Sequence, residues 1–218
     1  NKLDIFMPAT FKNKKDIDNF KKLSPDLVVV MGYGNIIPKA LLKESKMGFI
    51  NIHVSLLPRW RGAAPIEYAL LYGDENTGVT IFRLNSKLDQ GPILGSRICK
   101  IEKDTSKKIL EKKLNKIGIE LFEDIFFNYI KGKIKPVEQN DQQATYAKKI
   151  KNIDCKIDFT KDSNEIFNKI RAFSPKPGAW INYNNERIKI LSCKITKNKG
   201  KPSSILSNDF IIACKDLS

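Results

Sequence analysis

Short apolar runs recur along the first part of the chain, and helix-length segments separate them. Residues 27–31 and 49–53 form two of these runs, and residues 79–84 form a third. Runs of this length are typical of buried strands, and strands that alternate with helices indicate a parallel sheet. The pattern therefore predicts an α/β domain with a mainly parallel sheet.

Helical spacing marks three further segments. Residues 105–131 carry apolar side chains at the helical period before a stop signal at Gly132, namely Leu110, Leu114, Ile117, Leu121 and Ile125. Residues 65–72 begin with a proline in the first turn and precede Gly73, which predicts a shorter helix. Residues 164–173 predict another helix.

The pattern changes after residue 134. Residues 135–150 are polar, with a proline near their start, and predict a linker between domains. Short alternating runs follow, such as residues 187–191, and indicate small β structure. We therefore predict a first domain over residues 1–134 and a smaller, β-rich domain over residues 151–218.

Composition sets broad limits on the class of protein. A chain of 218 residues can bury one substantial core together with a small second domain. Of its residues 41% are hydrophobic, no apolar stretch approaches the roughly 20 residues of a membrane span, and no signal-peptide pattern is visible. The four cysteines are widely spaced, so they indicate neither a zinc site nor a disulfide framework. A reducing cytoplasm is the expected location.

The formal charge is strongly positive, at +15, with +8 in residues 1–134 and +7 in residues 135–218. Such a surface would attract a polyanion such as RNA and make its binding sensitive to salt. A chain rich in Lys, Asn and Ile is also what a biased genomic base composition produces. Charge alone therefore gives only modest support to a nucleic-acid partner.

Three side chains suggest acyl transfer to an amine. When an amine attacks a formyl carbon, the carbonyl oxygen gains negative charge, and an amide such as that of Asn51 can stabilise it. His53, the only histidine of the chain, can move the proton or carry the developing charge. Asp89 can orient the imidazole, directly or through water. The alternative is a buried core histidine and an aspartate that merely precedes a turn at Gly91 and Pro92.

Local structure favours the catalytic interpretation. Asn51 and His53 lie two residues apart at the end of a predicted strand, so their side chains project to the same side. Ligands of open α/β sheets bind beyond the carboxyl ends of the strands. These two residues therefore lie where a site is expected.

Residues 51–66, Asn-Ile-His-Val-Ser-Leu-Leu-Pro-Arg-Trp-Arg-Gly-Ala-Ala-Pro-Ile, together with Leu-Asp-Gln-Gly-Pro at 88–92, resemble the signature of the folate-dependent formyltransferases. The resemblance implies a Rossmann-like catalytic domain in which Asn51, His53 and Asp89 form the catalytic set, and it requires no metal. It also implies that 10-formyltetrahydrofolate is the formyl donor.

The same resemblance implies the residues that bind the folate donor. They come from the loop after the strand and from a glycine-containing loop that lines the flat pterin pocket, namely Ser55, Leu56, Leu57, Pro58, Ile36 and Ile37. For the two isoleucines, ordinary hydrophobic packing is an equally good interpretation.

A second matching region concerns the acceptor. Residues 144–147 and 170–179 resemble the carboxy-terminal, OB-like β domain of the family branch that formylates methionyl initiator tRNA, although Lys176 stands where an aromatic residue is expected. The resemblance implies initiator tRNA as partner and a monomer that acts in translation initiation. Two alternatives stay open: a formyltransferase acting on an amino sugar nucleotide, and a non-catalytic RNA-binding module.

Two arginines of the loop stand out in a lysine-rich chain. Arg59 and Arg61 are two of only six arginines, which suggests that guanidinium geometry is needed there. We predict that they bind substrate, through the acidic folate tail or a tRNA phosphate; the alternative is an ordinary solvated loop. Trp60 between them is expected to stack on a base or, more simply, to anchor the loop.

The resemblance also bears on the extent of the chain. Residues 3–7 resemble an interior run of the catalytic domain, so at least one βα unit is expected before them, and the chain is expected to end within the β domain. We accordingly expect a lower urea midpoint for these 218 residues than for a longer version.

Overall fold

The structure is a computed structural model that describes Phe11, residues 13–34 and residues 37–217. The apolar run at residues 3–7 lies outside these described residues. The elements, in chain order, are α1 (Lys14–Lys22), β1 (Val28–Met31), β2 (Phe49–His53), β3 (Arg61–Gly62), α2 (Pro65–Leu71), β4 (Asn76–Arg83), β5 (Ile93–Lys100), α3 (Lys107–Ile130), β6 (Tyr146–Ala147), α4 (Ser163–Phe173), β7 (Ala179–Tyr183) and β8 (Glu186–Ile190).

The central sheet has four described strands in the order β1-β2-β4-β5. β1 and β2 are parallel, as the sequence predicts, whereas β4 is antiparallel to both β2 and β5. The short connection over residues 84–92 explains the last pairing, because a loop of that length cannot carry the chain back for a parallel crossover. The α/β class is confirmed, and the described part of its sheet is mixed.

Helix α3 covers one face of this sheet. The predicted stripe provides the contact, since Leu110, Leu114 and Leu121 are buried. At Gly118 the helix comes so close that an added Cβ would lie 3.3 Å from a methyl group of Ile52. The helix ends before Gly132, where the sequence predicts its stop.

The segment predicted as a linker is held against the first domain. Val137 exchanges two backbone hydrogen bonds with Ile93, of 2.7 and 2.9 Å, and β6 forms a parallel pair with β3. The side chain of Gln139 in this segment binds the Arg61 guanidinium and the backbone carbonyls of Asp89 and Gly91. The division into two domains with a linker at residues 135–150 stays a prediction.

Helix α4 shares the core of the first domain. Ile66 and Leu70 of α2 belong to the same buried cluster as Ile170 and Phe173 of α4. Lys107, at the start of α3, also pairs with Glu67 of α2 at 2.7 Å. The helical part of the second region is therefore packed on the first domain.

The remaining β structure is limited. β7 and β8 form a two-stranded antiparallel sheet, and isolated bridges join Lys156 to Trp180 and Ile205 to Ile212. Within residues 151–217 these pairs do not close into the predicted OB-like barrel. Lys, Asn, Gly, Pro and Ser dominate residues 197–204, and these residue types favour turns over strands. Within the described residues, no helix is long and apolar enough to cross a membrane.

Candidate active site

A cavity of about 750 Å³ opens at the carboxyl ends of β1 and β2. Its floor comes from the strand ends and the loops that follow them, where Met31 and Val54 contribute apolar surface. The connection between β4 and β5 forms one wall, and β3 with β6 forms another. The site lies where open α/β sheets bind ligands.

Asn51 and His53 both line this cavity, as their spacing on β2 predicts. The side-chain amide of Asn51 makes no hydrogen bond to any side chain or backbone group of the described residues. Its N–H groups are therefore available to an oxygen inside the cavity. Backbone pairing of Asn51 with Val30 and Phe82 fixes the position from which this donor extends.

His53 is buried, with 7% of its surface exposed, and the structure defines its tautomer. Nε2 lies 2.9 Å from the backbone carbonyl oxygen of Trp60. A carbonyl oxygen can only accept, so Nε2 carries the hydrogen and Nδ1 is the nitrogen free to take up a proton. Nδ1 lies 3.9 Å from Oδ2 of Asp89. The imidazole therefore presents its basic nitrogen toward a carboxylate.

Asp89 is held in place by its own loop and by β3. Its backbone is left-handed, at φ 48°, and its carboxylate accepts a hydrogen bond of 2.8 Å from the backbone N–H of Gly62. Two residues later, a Cβ at Gly91 would lie 1.7 Å from the carbonyl oxygen of Arg83. Only glycine allows this approach, so Gly91 fixes the direction in which the aspartate loop leaves β4.

The structure thus brings Asn51, His53 and Asp89 to one cavity, although the strand and the loop that carry them are separate in sequence. Ile37 of the predicted donor pocket also lines this cavity, whereas Ile36 lies outside the described residues.

Residues 55–58 support the site from below and are not on the cavity wall. The buried hydroxyl of Ser55 donates to the carbonyl of Arg59 at 2.6 Å, and Thr80 bonds both the carbonyl of Ser55 and the N–H of Leu57. Leu56 and Pro58 belong to the same turn. Within this structure Ser55 and Leu57 shape the loop, and the binding of the donor by Ser55, Leu56, Leu57 and Pro58 stays a prediction.

Arg59 does not face the cavity. Its guanidinium makes two hydrogen bonds to Asp74, of 2.9 and 2.5 Å, and lies 4.3 Å from the centre of the Trp60 ring. The indole N–H of Trp60 also donates to Asp74, at 2.7 Å. Arg59 and Trp60 thus anchor the loop, and the binding of substrate by Arg59 stays a prediction.

Arg61 is fully buried, at 0% exposure. Its guanidinium donates to the side-chain oxygen of Gln139 at 2.8 and 3.1 Å, and to Asp141 at 2.8 Å. The side chains of Gln90 and Arg61 hold the pKa of Asp141 below its ordinary value. The Arg61 guanidinium is thus bound by protein acceptors, and its binding of substrate stays a prediction.

The cavity rim contains groups that sequence reasoning missed as site residues. Lys87, Lys148 and Lys149 line it, and none of them forms an ion pair with a described residue. Tyr146 lies beside them with 52% of its surface exposed. The adjacent lysines at 148 and 149 were a visible signal, but the segment was interpreted as a linker.

The fold and this cavity are those of an α/β protein with a ligand-sized site at the carboxyl ends of its strands. The sequence matches the Formyl transferase family over residues 3–125 and its C-terminal domain over residues 149–218. The chain belongs to the formyl transferase family.

Several relatives within this family share one name and are similar over most of this chain. Methionyl-tRNA formyltransferase from Bartonella quintana is 40% identical over 97% of this chain and 70% of its own length. The proteins of that name from Ehrlichia canis and Pelagibacter ubique are 39% and 38% identical, over 99% and 97% of this chain and 71% and 69% of their own.

Solved structures share the fold at lower identity. HypX from Aquifex aeolicus, in complex with tetrahydrofolic acid, has a TM-score of 0.73 at 20% identity, over 92% of this chain and 36% of its own. An N-formyltransferase from Helicobacter canadensis, with folinic acid and dTDP-3-aminofucose, has a TM-score of 0.70 at 24% identity, over 84% of this chain and 68% of its own.

Proposed function

We propose that this chain transfers a formyl group from 10-formyltetrahydrofolate to the α-amino group of methionyl initiator tRNA. The observation that carries the proposal is the convergence of Asn51, His53 and Asp89 on one cavity. The relatives named methionyl-tRNA formyltransferase support the choice of acceptor.

The unpartnered amide of Asn51 stabilises the oxygen of the formyl group as the amine attacks. Negative charge grows on that oxygen while the new carbon–nitrogen bond forms, and a fixed N–H donor in a sheltered cavity lowers the energy of this state. Because β2 is paired on both sides at Asn51, the donor is positioned before the reaction begins.

His53 moves the proton that the attacking amine must lose. Nε2 is committed to the Trp60 carbonyl, so Nδ1 accepts this proton and returns it to the donor nitrogen when the old carbon–nitrogen bond breaks. At 3.9 Å the contact with Asp89 is longer than a hydrogen bond, so the carboxylate acts as a charge that stabilises the imidazolium. The proton is conserved over the cycle.

The donor fits the apolar part of the cavity. The loop after β1 and the strand ends provide flat apolar surface beside Asn51, through Val30, Met31 and Ile37. A pterin ring in this pocket brings its formyl group within reach of the Asn51 amide. The cavity combines an apolar lining with a few convergent polar groups, as small-molecule sites do.

The acceptor approaches across the part of the cavity rim that carries three lysines. Lys87, Lys148 and Lys149 offer three cations to the phosphates of an acceptor stem. We assign the region from residue 151 onward to tRNA binding, because its net charge is positive and α4 fixes it to the catalytic domain.

A direct assay tests the proposal. The protein is given 10-formyltetrahydrofolate with either methionyl initiator tRNA or an amino sugar nucleotide, and the formylated product is measured. We expect formylation of the tRNA alone. Formylation of the sugar nucleotide alone would overturn the acceptor, and salt-dependent RNA binding without saturable folate binding would overturn the enzyme assignment.

Two substitutions test the roles of the site residues. Asn51→Ala and His53→Ala should each lower turnover by about 100-fold or more, because each removes a group that acts in the transition state. Asn128→Ala, at an exposed asparagine of α3, is the matched control and should keep normal turnover. Near-normal turnover of His53→Ala refutes the assignment.

A further inference from the structure

The side chain of Gln139 connects the segment before β6 to the loop that carries Asp89. Its amide N–H groups donate to two backbone carbonyls, that of Asp89 at 2.9 Å and that of Gly91 at 2.7 Å. These carbonyls flank Gln90, so one side chain binds the aspartate loop at two points. Within this loop the backbone of Asp89 is left-handed, at φ 48°.

Buried Arg61 determines which way the Gln139 amide points. The guanidinium donates two hydrogen bonds to Oε1 of Gln139, so that end of the amide must face the arginine. The nitrogen then faces the carbonyls of Asp89 and Gly91. Arg61 is fully buried, and its orientation is fixed further by the pair with Asp141 at 2.8 Å.

The carboxylate and the backbone carbonyl of Asp89 are therefore both held, one by the segment of Gly62 and the other by the segment of Gln139. The carboxylate accepts from the N–H of Gly62, next to Arg61, and the carbonyl accepts from Gln139, which Arg61 orients. Gln90 adds a third link through its hydrogen bond to Asp141. Together these contacts set the separation of 3.9 Å between Asp89 and His53.

We propose that Gln139 is a positioning residue for Asp89: its two amide N–H donors hold the aspartate loop at the distance from which the carboxylate supports His53. The expected fall in turnover rests on the proposed formyl transfer. The holding of the Asp89 loop by Gln139 rests on the hydrogen bonds of the loop alone. A misplacement of about 1 Å in a site can cost about 100-fold in rate.

The test uses two substitutions that separate the donors of Gln139 from its acceptor. Gln139→Glu keeps an oxygen for Arg61 but removes both N–H donors, whereas Gln139→Met removes both functions. The control is Gln143→Met, at an exposed glutamine whose side chain makes no hydrogen bond to a described residue. Turnover, the KM for donor and acceptor, and melting midpoints are measured for all four proteins.

The only histidine supplies a second readout, because its imidazole ¹⁵N signals are unique in the spectrum. We expect both Gln139 variants to lose about 100-fold in kcat with each KM within about twofold, and to shift the Nδ1 signal of His53. Gln143→Met should match the parent protein.

The outcomes distinguish this inference from the proposed function. Parental kcat and an unmoved Nδ1 signal in Gln139→Glu would overturn the positioning role and leave only support of Arg61. If the parent protein formylates no methionyl-tRNA, the proposed acceptor fails, and the His53 signal in the two Gln139 variants still decides whether the loop is held by Gln139.

Discussion

The reactivity of His53 depends on a backbone carbonyl. Because Trp60 accepts from Nε2, the ring offers Nδ1 to the cavity, and the same carbonyl prevents the ring from turning. The sequence placed His53 at a strand end, and β2 spans Phe49–His53 as predicted. It could not identify the partner, because the Trp60 carbonyl reaches the ring only through the turn at residues 55–60.

The two loop arginines illustrate the same limit. Their rarity among lysines suggested a need for guanidinium geometry at Arg59 and Arg61, and in the structure both guanidinium groups bind acceptors of the protein. The groups that they bind, Asp74 and Gln139, lie 15 and 78 residues away, in elements whose approach depends on tertiary packing. A local sequence pattern can suggest that a guanidinium group is needed without predicting which groups it binds.

Asp74 provides a test of the loop anchor. Asp74→Ala leaves the buried indole N–H of Trp60 unsatisfied and the Arg59 guanidinium unpaired, so we expect a loss of about 2–3 kcal/mol in the free energy of unfolding. Turnover should fall as well, because Trp60 carries the carbonyl that holds His53. Urea unfolding and the formylation assay measure the two effects.

The matched variant is Asp74→Asn, which keeps one oxygen acceptor and removes the charge together with the second acceptor. It should lose less stability than Asp74→Ala. Equal losses in the two variants would show that the ion pair with Arg59, and not the hydrogen bond of Trp60, holds the loop.

Among helices and strands, the locally coded elements agree best with prediction. α3 covers Lys107–Ile130 within the predicted 105–131, and α4 covers Ser163–Phe173 against 164–173, because side-chain periodicity determines which face is buried. The contacts of the segment at 135–150 could not be predicted, since they are isolated bridges and side-chain hydrogen bonds, which leave no periodic signal.

Gly91 tests how closely the aspartate loop must approach β4. In Gly91→Ala the new methyl group would lie 1.7 Å from the carbonyl oxygen of Arg83, so the backbones must separate. We expect a loss of about 2 kcal/mol or more in the free energy of unfolding, together with a large fall in turnover as Asp89 is displaced.

Gly95→Ala on β5 is the control, because its Cβ would make only an ordinary contact of 3.4 Å with Ile125. It should lose less than about 1 kcal/mol. A Gly91→Ala protein with the stability and turnover of the parent would show that the loop can leave the strand along another path.

Asp216 caps helix α4 from a distant part of the chain. Its carboxylate accepts from the backbone N–H of Ser163 at 2.7 Å and from the hydroxyl at 3.0 Å. The bond from the Ser163 N–H holds the pKa of Asp216 below its ordinary value. A carboxyl whose pKa is lowered by folding stabilises the folded state above its unfolded pKa, and this contribution is lost as the pH falls through the folded value.

We therefore expect Asp216→Asn to melt at a lower temperature than the parent at pH 7, with a difference that narrows as the pH falls below about 4. Asp209→Asn, at an exposed aspartate whose side chain makes no hydrogen bond to a described residue, should show little difference at either pH. A melting difference for Asp216→Asn that is the same at pH 7 and pH 3 contradicts the capping role.

At the scale of the whole chain, the net charge and the geometry of the site are expected to affect different aspects of tRNA binding. The proposed catalytic groups are few and lie in the cavity, with His53 buried, whereas the charge of +15 is spread over both parts of the chain. General attraction of tRNA should follow from the total charge. Phosphate contacts at the site should follow from the position of single lysines, which composition could not reveal.

Salt dependence separates these two contributions. If Lys87, Lys148 and Lys149 contact acceptor phosphates, replacing all three with alanine should reduce the slope of log K for tRNA binding against log salt by about 2, since each contact contributes about 0.7–0.9. The control replaces three exposed lysines outside the cavity, Lys108, Lys112 and Lys131, and removes the same charge. We expect that control to lower affinity at low salt but to keep most of the slope. Equal changes of slope in the two triple variants would show that tRNA responds to total charge alone and that the rim makes no specific phosphate contacts.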